Sequence, residues 1–337
     1  MRLLLMGFGN VGRGLASLIQ DQHDALMKQY GCDLQIVGVA TGTRGIVYHP
    51  DGLAIDGLLS AYDAGDLTTH PAQPTIFDDP QRMIETAAAD ILVEATPTKF
   101  DTAQPAYDYM QSALNTGKHV ISANKGPIAR YYPQLTQRAR AQGLYLRYEA
   151  TVMAGTPAIA TGTEMLAGAG IREVRGILNG TTNYILTQME GGQSYADALA
   201  QAQALGYAEA DPSGDVDGWD AAGKVLILAA AIFGKSLNFD DLTVTGITQI
   251  TPQDIRTAQA EGARYKLIAS VDAEGGAVRP VRLPMTDPLA QVSDATNAIT
   301  YRTDALGDVT LIGAGAGRRE TGYGVLADIL AIQRQLA

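Results

Sequence analysis

Arg2-Leu3-Leu4-Leu5-Met6 runs directly into Gly7-Phe8-Gly9-Asn10-Val11-Gly12, after which Val11, Leu15, Leu18 and Ile19 recur at helical spacing. The order is buried strand, glycine turn, amphipathic helix. Glycines at 7, 9 and 12 suit a turn of this kind for three reasons: they allow the tight bend, they let the backbone approach a pyrophosphate, and they permit close helix-to-strand packing. The amino end of the following helix adds partial positive charge. In a chain with 37 glycines the same spacing also serves as a plain strand-to-helix turn. Its position after a strand and before an amphipathic helix favours a dinucleotide site. The opening residues are not read as a secretory signal, because Gly7 and Gly9 end the apolar run and no small-residue cleavage site follows.

Outward from this turn, strands are predicted at 34–40, 91–95, 119–122 and 144–148, with helices at 103–116 and 127–142 between them. Strands separated by helix-length segments pair in parallel, since a parallel crossover needs a dozen or more residues. The expected architecture is α/β, a doubly wound parallel sheet with ligands at the carboxyl ends of its strands. Beyond residue 150 the pattern changes. Strands at 171–178, 244–250, 265–272, 278–283 and 299–303 surround helices at 195–205 and 219–233, an α+β domain with a mixed sheet. A last strand at 309–312, the glycines of 313–317 and a helix at 323–335 repeat the opening grammar. The expected division is a cofactor domain at 1–150 completed by 306–337, and a catalytic domain at 151–305.

At 337 residues the chain has the length of about two domains. Its 46% hydrophobic and 18% charged residues exclude disorder. The net charge of −11 argues against nucleic acid and anionic membrane surfaces as partners. The longest apolar stretch, 225–233, is far below the ~20 residues of a membrane-spanning helix. Cys32 is the single cysteine, so no intrachain disulfide forms, and a cytoplasmic location is expected.

Some residues carry possible chemistry. Thr41-Gly42-Thr43-Arg44 follows the second strand with no carboxylate and with a guanidinium suited to a 2′-phosphate, which favours NADP over NAD; taken alone, Arg44 also reads as a solvated loop arginine. Lys125, in Ser122-Ala123-Asn124-Lys125, ends another strand on the same carboxyl edge, where a cofactor or substrate contact competes with an ordinary surface lysine. Glu209, Asp211, Asp215, Asp217, Asp220 and Lys224 form the densest polar cluster and lead into the apolar helix. Asp220 and Lys224 lie i, i+4 on one helix face. Such pairs are commonly surface ion pairs, but a lysine beside carboxylates at a pocket edge is also a proton donor and acceptor for an alcohol and carbonyl pair. The acids alternatively suit a divalent metal, although no histidine is near and the Asp-Pro-Ser-Gly turn explains part of the cluster.

Longer motifs carry a resemblance. Gly176-Ile177-Leu178-Asn179-Gly180-Thr181-Thr182-Asn183-Tyr184-Ile185-Leu186, then Gly206-Tyr207-Ala208-Glu209-Ala210-Asp211-Pro212, then Asp215-Val216-Asp217-Gly218-Trp219-Asp220-Ala221-Ala222-Gly223-Lys224 resemble homoserine dehydrogenases. The glycine turn, Ala95-Thr96-Pro97-Thr98, Ser122 to Lys125, Glu149-Ala150-Thr151-Val152 and Gly315-Ala316-Gly317 fit the same family in the same order. The resemblance implies a Rossmann-type cofactor domain and NAD(P)-dependent interconversion of L-homoserine and L-aspartate 4-semialdehyde, on the route to threonine and methionine. Lys224 then matches the general acid/base and Asp220 its partner. Lys125 matches a lysine between nicotinamide and substrate. Glu209 matches the residue that holds the substrate amino group, with Tyr207, Thr181 and Asp215 lining the pocket. Gly7, Phe8, Gly9, Asn10, Val11, Gly12, Arg44, Thr96 and Gly315 match cofactor contacts, with NADP expected and NAD possible. Glu149, with the carbonyls of Val152, Ala154 and Thr156, matches a monovalent-cation site of the kind that takes Na⁺; a strand-end carboxylate paired with Arg147 is the plainer reading of Glu149. A homodimer is also implied.

The sequence departs from the family in three respects. It ends at Ala337, just past the closing helix, so threonine feedback through an appended regulatory domain is not expected. Met153-Ala154-Gly155-Thr156 replaces a more glycine-rich run. Gly223 sits inside the catalytic helix, lowering its propensity by about 1 kcal/mol against Ala. Two other readings remain open: a non-catalytic nucleotide-binding sensor, and a dehydrogenase of another small amino or hydroxy acid.

Overall fold

The computed structural model describes residues 1–336. The chain separates into two compact units, Met1–Gly155 with the chain from Gly317 onward, and Thr156–Ala316.

The first unit is built on a seven-stranded sheet: β1 (Arg2–Met6), β2 (Gln35–Ala40), β3 (Ile46–Tyr48), β4 (Thr75–Phe77), β5 (Ile91–Glu94), β6 (His119–Ser122) and β7 (Leu146–Arg147). The strand order is β4-β3-β2-β1-β5-β6-β7. β1 pairs in parallel with both β2 and β5, and β5, β6 and β7 continue in parallel, whereas β3 and β4 are antiparallel additions at one edge. Leu3, Leu4 and Leu5 are fully buried, the continuous apolar run expected of a strand covered on both faces. Strands are added to one side of β1 up to β4 and then, from β5, to its other side, and in an open sheet of this kind the switch in strand order marks a crevice at the carboxyl ends. Gly7 ends β1 at φ +97°, and a Cβ on it would lie 2.5 Å from the Ala95 carbonyl oxygen, so glycine is required.

The first helix, Asn10–Asp21, packs against the closing helix, Arg318–Leu336, through the cluster containing Leu15, Leu18, Ile19, Val325, Leu326, Ile329 and Ile332. Backbones touch where they cross: a Cβ on Gly14 would meet the Arg318 carbonyl at 2.0 Å, and one on Gly322 would meet Gly14 at 2.6 Å.

The second unit carries a six-stranded sheet of order β13-β12-β8-β10-β11-β9, from β8 (Ile171–Ile177), β9 (Leu242–Val244), β10 (Ala263–Asp272), β11 (Gly276–Pro284), β12 (Thr296–Thr303) and β13 (Gly307–Ala314). Pairing is antiparallel except between β9 and β11, so the sheet is mixed. Helices Gly180–Glu190 and Trp219–Phe233 both pack against β10.

Some sequence expectations need correction. The strand predicted at 309–312 does not complete the cofactor domain. It lies within β13, which pairs with β12 at the edge of the second sheet, and only the helix after it returns to the first unit. The strand predicted at 244–250 stops at Val244: Ile247 donates its N–H to the Val216 carbonyl, and no side chain fits at Gly246, where a Cβ would meet that carbonyl at 2.1 Å. The strand predicted at 144–148 shortens to Leu146–Arg147.

Candidate active site

The polar cluster of the second unit assembles at the carboxyl end of β8. After Leu178 the chain turns through Asn179, whose extended backbone (φ −132°) and side chain cap the helix Gly180–Glu190 by accepting from the Thr182 N–H at 2.9 Å. The Thr181 hydroxyl donates to the Tyr207 carbonyl at 2.7 Å, tying this helix to the loop that carries Tyr207 and Glu209. The Tyr184 and Tyr207 rings lie 5.0 Å apart. Glu209 is exposed, and its main-chain carbonyl accepts from the Gln203 amide.

Helix Trp219–Phe233 begins at Gly218, whose φ of +93° turns the chain sharply behind Asp215 and Asp217. Its first turn presents Asp220, and Lys224 follows one turn later. The Lys224 Nζ lies 2.8 Å from Asp220 Oδ2 and also donates to the Leu178 carbonyl; Lys224 is only 6% exposed. A burial this deep sets the pair apart from a solvated surface ion pair. Asp215 and Asp220 are joined by one amide: Asn179 Nδ2 donates to Asp215 Oδ1 at 2.7 Å and to Asp220 Oδ2 at 3.1 Å. Burial pushes the Asp215 carboxyl above the usual carboxylate range, against the hydrogen bond from Asn179 that lowers it. Gly223 is buried in the same helix. Among the described residues, no group of three or more His, Cys, Asp or Glu is arranged to hold a metal ion.

In the first unit, Gly9 caps the first helix, and a Cβ built on it meets nothing within 4 Å, leaving open space in front of the first-turn N–H groups. A Cβ on Gly12 would meet the Gly7 carbonyl at 2.6 Å, so this glycine serves helix-to-strand packing. This cradle fits a pyrophosphate. Past β2, the Arg44 guanidinium lies 3.7 Å from the centroid of the Tyr62 ring and donates to the Tyr62 carbonyl at 2.8 Å. Arg13, on the first helix, lies 4.6 Å from the same ring. Two guanidinium groups thus converge on Tyr62, and sequence reading found only one of them.

At the end of β5, Thr96 donates its N–H to Glu94 Oε1 at 3.0 Å, and its hydroxyl donates to the same oxygen. Asn124 Nδ2 donates to the Thr96 carbonyl at 3.2 Å, while its Oδ1 accepts from the Gly126 N–H and caps the helix Lys125–Ala141. Thr96 and the start of the helix that Lys125 opens are therefore tied through Asn124. Glu94 is fully buried, and burial pushes its carboxyl up to about 7. Neither Glu94 nor Asn124 stood out in the sequence as more than a strand-end residue.

Glu149 is buried and donates its N–H to Asp328 Oδ2 of the closing helix at 2.8 Å. Val152 and Ala154 follow on the next turn, Ala154 at φ +50° with its carbonyl against Gly324. Thr156 belongs to the second unit, where its hydroxyl donates to the Ala314 carbonyl at 3.0 Å. Gly315 lies against the Asn297 side chain of β12.

A nucleotide-type glycine turn on a parallel sheet, with a buried lysine and carboxylate pair in a separate α+β unit, defines a dinucleotide-dependent oxidoreductase. Residues 7–149 match the NAD-binding domain of homoserine dehydrogenase, and residues 157–330 match the homoserine dehydrogenase family itself. The chain belongs to the homoserine dehydrogenase family, oxidoreductases that act on a CH–OH group. An NAD(+)-dependent homoserine dehydrogenase of Pseudomonas canavaninivorans is 41% identical over 99% of this chain and 96% of its own. The homoserine dehydrogenase of Methanocaldococcus jannaschii is 36% identical over 98% of each. Among solved structures, a hyperthermophilic archaeal homoserine dehydrogenase in complex with NADPH superposes with a TM-score of 0.86 at 31% identity, covering 99% of this chain and 98% of that one. The homoserine dehydrogenase from Thiobacillus denitrificans gives the same TM-score at 32% identity, covering all of this chain and 74% of that one.

Proposed function

We propose that this chain interconverts L-homoserine and L-aspartate 4-semialdehyde in threonine and methionine biosynthesis, with Lys224 as the proton carrier. The observation that carries the assignment is the buried Lys224 ammonium, 2.8 Å from Asp220 and joined through Asn179 to Asp215. A bound nicotinamide nucleotide supplies the hydride chemistry. Lys224 protonates the alkoxide formed as the aldehyde is reduced, its ammonium acting as general acid. In homoserine oxidation Lys224 must first lose that proton, so oxidation runs faster at alkaline pH. Glu209 holds the substrate amino group, with Thr181, Tyr207 and Asp215 around it, and Lys125 serves substrate and cofactor.

Gly7 to Gly12, Thr96 and Gly315 hold the dinucleotide, with Arg44 at the 2′-phosphate; the convergence of Arg13 and Arg44 on Tyr62 supports NADP. NAD use remains open to the same turn, as the name of the Pseudomonas relative illustrates. Glu149 with the carbonyls of Val152, Ala154 and Thr156 is the donor set for a monovalent cation such as Na⁺; a buried carboxylate and main-chain oxygens suit a hard ion. We also propose a cytoplasmic homodimer, in keeping with the single, buried cysteine and the family. The test follows NADPH absorbance with aspartate semialdehyde, and NADP⁺ reduction with homoserine at alkaline pH, each repeated with the NAD form. Turnover in both directions is expected; none with either cofactor overturns the proposal.

A further inference from the structure

Asn179 is 5% exposed and has both ends of its amide committed. Its Oδ1 accepts from the Thr182 N–H at 2.9 Å and lies 3.0 Å from the Thr182 hydroxyl. Because a main-chain N–H can only donate, this contact fixes which end of the amide is oxygen. The NH₂ end therefore faces Asp215 Oδ1 and Asp220 Oδ2, at 2.7 and 3.1 Å. Asp220 Oδ2 is also the oxygen that Lys224 touches, and the second acceptor of Lys224 is the carbonyl of Leu178, the residue before Asn179. One neutral side chain thus separates two carboxylates and fixes the partner of the lysine.

We infer that Asn179 is a positioning residue that sets the proton affinity of Lys224, by donating to Asp215 and Asp220 together and so keeping both carboxylates ionised around the ammonium. The inference rests on the assignment of Lys224 as the proton carrier. The charged groups gathered here are Asp215 from Ser213–Val216, and Asp220 and Lys224 from Trp219–Phe233; the loop adds Tyr207 and the exposed Glu209, and β8 leads into the Leu178 carbonyl. Without the amide, two facing carboxylates share a proton and act as a coupled pair, as like charges at close range do. Lys224 then loses part of the negative field that holds its own proton.

Two substitutions separate this electrostatic role from helix capping, because serine and aspartate both cap helices about as well as asparagine. Asn179→Ser keeps the cap and removes the bridge. Homoserine oxidation should fall at least tenfold at its optimum, and the rising limb of its pH profile should move about one unit toward acid. Asn179→Asp keeps the cap and also removes the bridge, but three carboxylates that share one proton hold more negative charge than two that do, so the limb should move toward acid by less than in the serine variant. The affinity for NADPH, read by fluorescence titration, should stay within twofold in both. If one variant does not fold, the other carries the test through its own shift toward acid. A limb left in place in the folded variants, whatever the loss of turnover, overturns the inference. The underlying assignment is checked separately by Lys224→Ala: normal turnover in that variant refutes the role of Lys224 itself, whereas lost turnover there with unmoved limbs in the Asn179 variants refutes only the positioning role.

Discussion

Replacing Glu94 with Gln should make the first unit more stable, and by an amount that depends on pH. Glu94 ends β5 with no exposed surface; Oε1 accepts from Thr96, and Oε2 is buried with no hydrogen-bond partner. Desolvation is the largest influence on this carboxyl and raises it from an ordinary 4.5 to about 7, against the pull of the Thr96 hydrogen bonds. Between those values the folded protein holds a proton that the unfolded chain has released. Stability therefore falls as pH rises, by about 1.4 kcal/mol per unit, and the loss totals about 3 kcal/mol by the time pH passes 7. Glu94→Gln keeps the accepting oxygen and mimics the protonated form. Its stability should match the parent near pH 4.5 and exceed it by about 3 kcal/mol above pH 7. Urea unfolding followed by circular dichroism across this range measures the difference; the single tryptophan, Trp219, lies in the other unit and is the wrong probe. A difference that stays constant with pH would refute the reasoning.

Two further substitutions test other parts of the structure. Gly322→Val places a branched side chain where the backbone of Gly14 already lies within 2.6 Å of a Cβ, so the closing helix must shift from the first helix; a loss of about 3 kcal/mol or more is expected in the same unfolding assay, and a neutral result would show that this crossing is loose. Arg44→Ala should raise the KM for NADP⁺ at least tenfold and change that for NAD⁺ little; equal effects on both would place Arg44 away from the 2′-phosphate.

The opening strand, glycine turn and helix were legible because the signal is local: an uninterrupted apolar run, three glycines at fixed spacing, then helical periodicity. Helix Trp219–Phe233 was equally plain, since its apolar run is long and its start is marked by Gly218. What the sequence hid was nonlocal. Strand 309–312 looked like a second copy of the opening motif, and only its register with β12 shows which sheet it joins. The end of β9 depends on Gly246 seating against Val216, some thirty residues earlier, and β3 and β4 are three-residue strands too short to show periodicity. At the site, Lys224, Asp220 and Asp215 were marked by their density in a short stretch. Asn179, Arg13 and Glu94 were not, because an amide, a helix arginine and a strand-end acid become informative only once their partners are known. The burial of Asp328 beside the Glu149 N–H is of the same kind.

The most direct measurement is the paired kinetics and cofactor binding of Lys224→Ala. Titrating the variant with NADPH and following homoserine oxidation in parallel separates the proton step from assembly of the cofactor site. Cofactor affinity close to that of the parent, with turnover reduced by several orders of magnitude in both directions, is the expected outcome for a lysine that carries the proton. Turnover within a few-fold of the parent would contradict it and take Lys224 out of the chemistry.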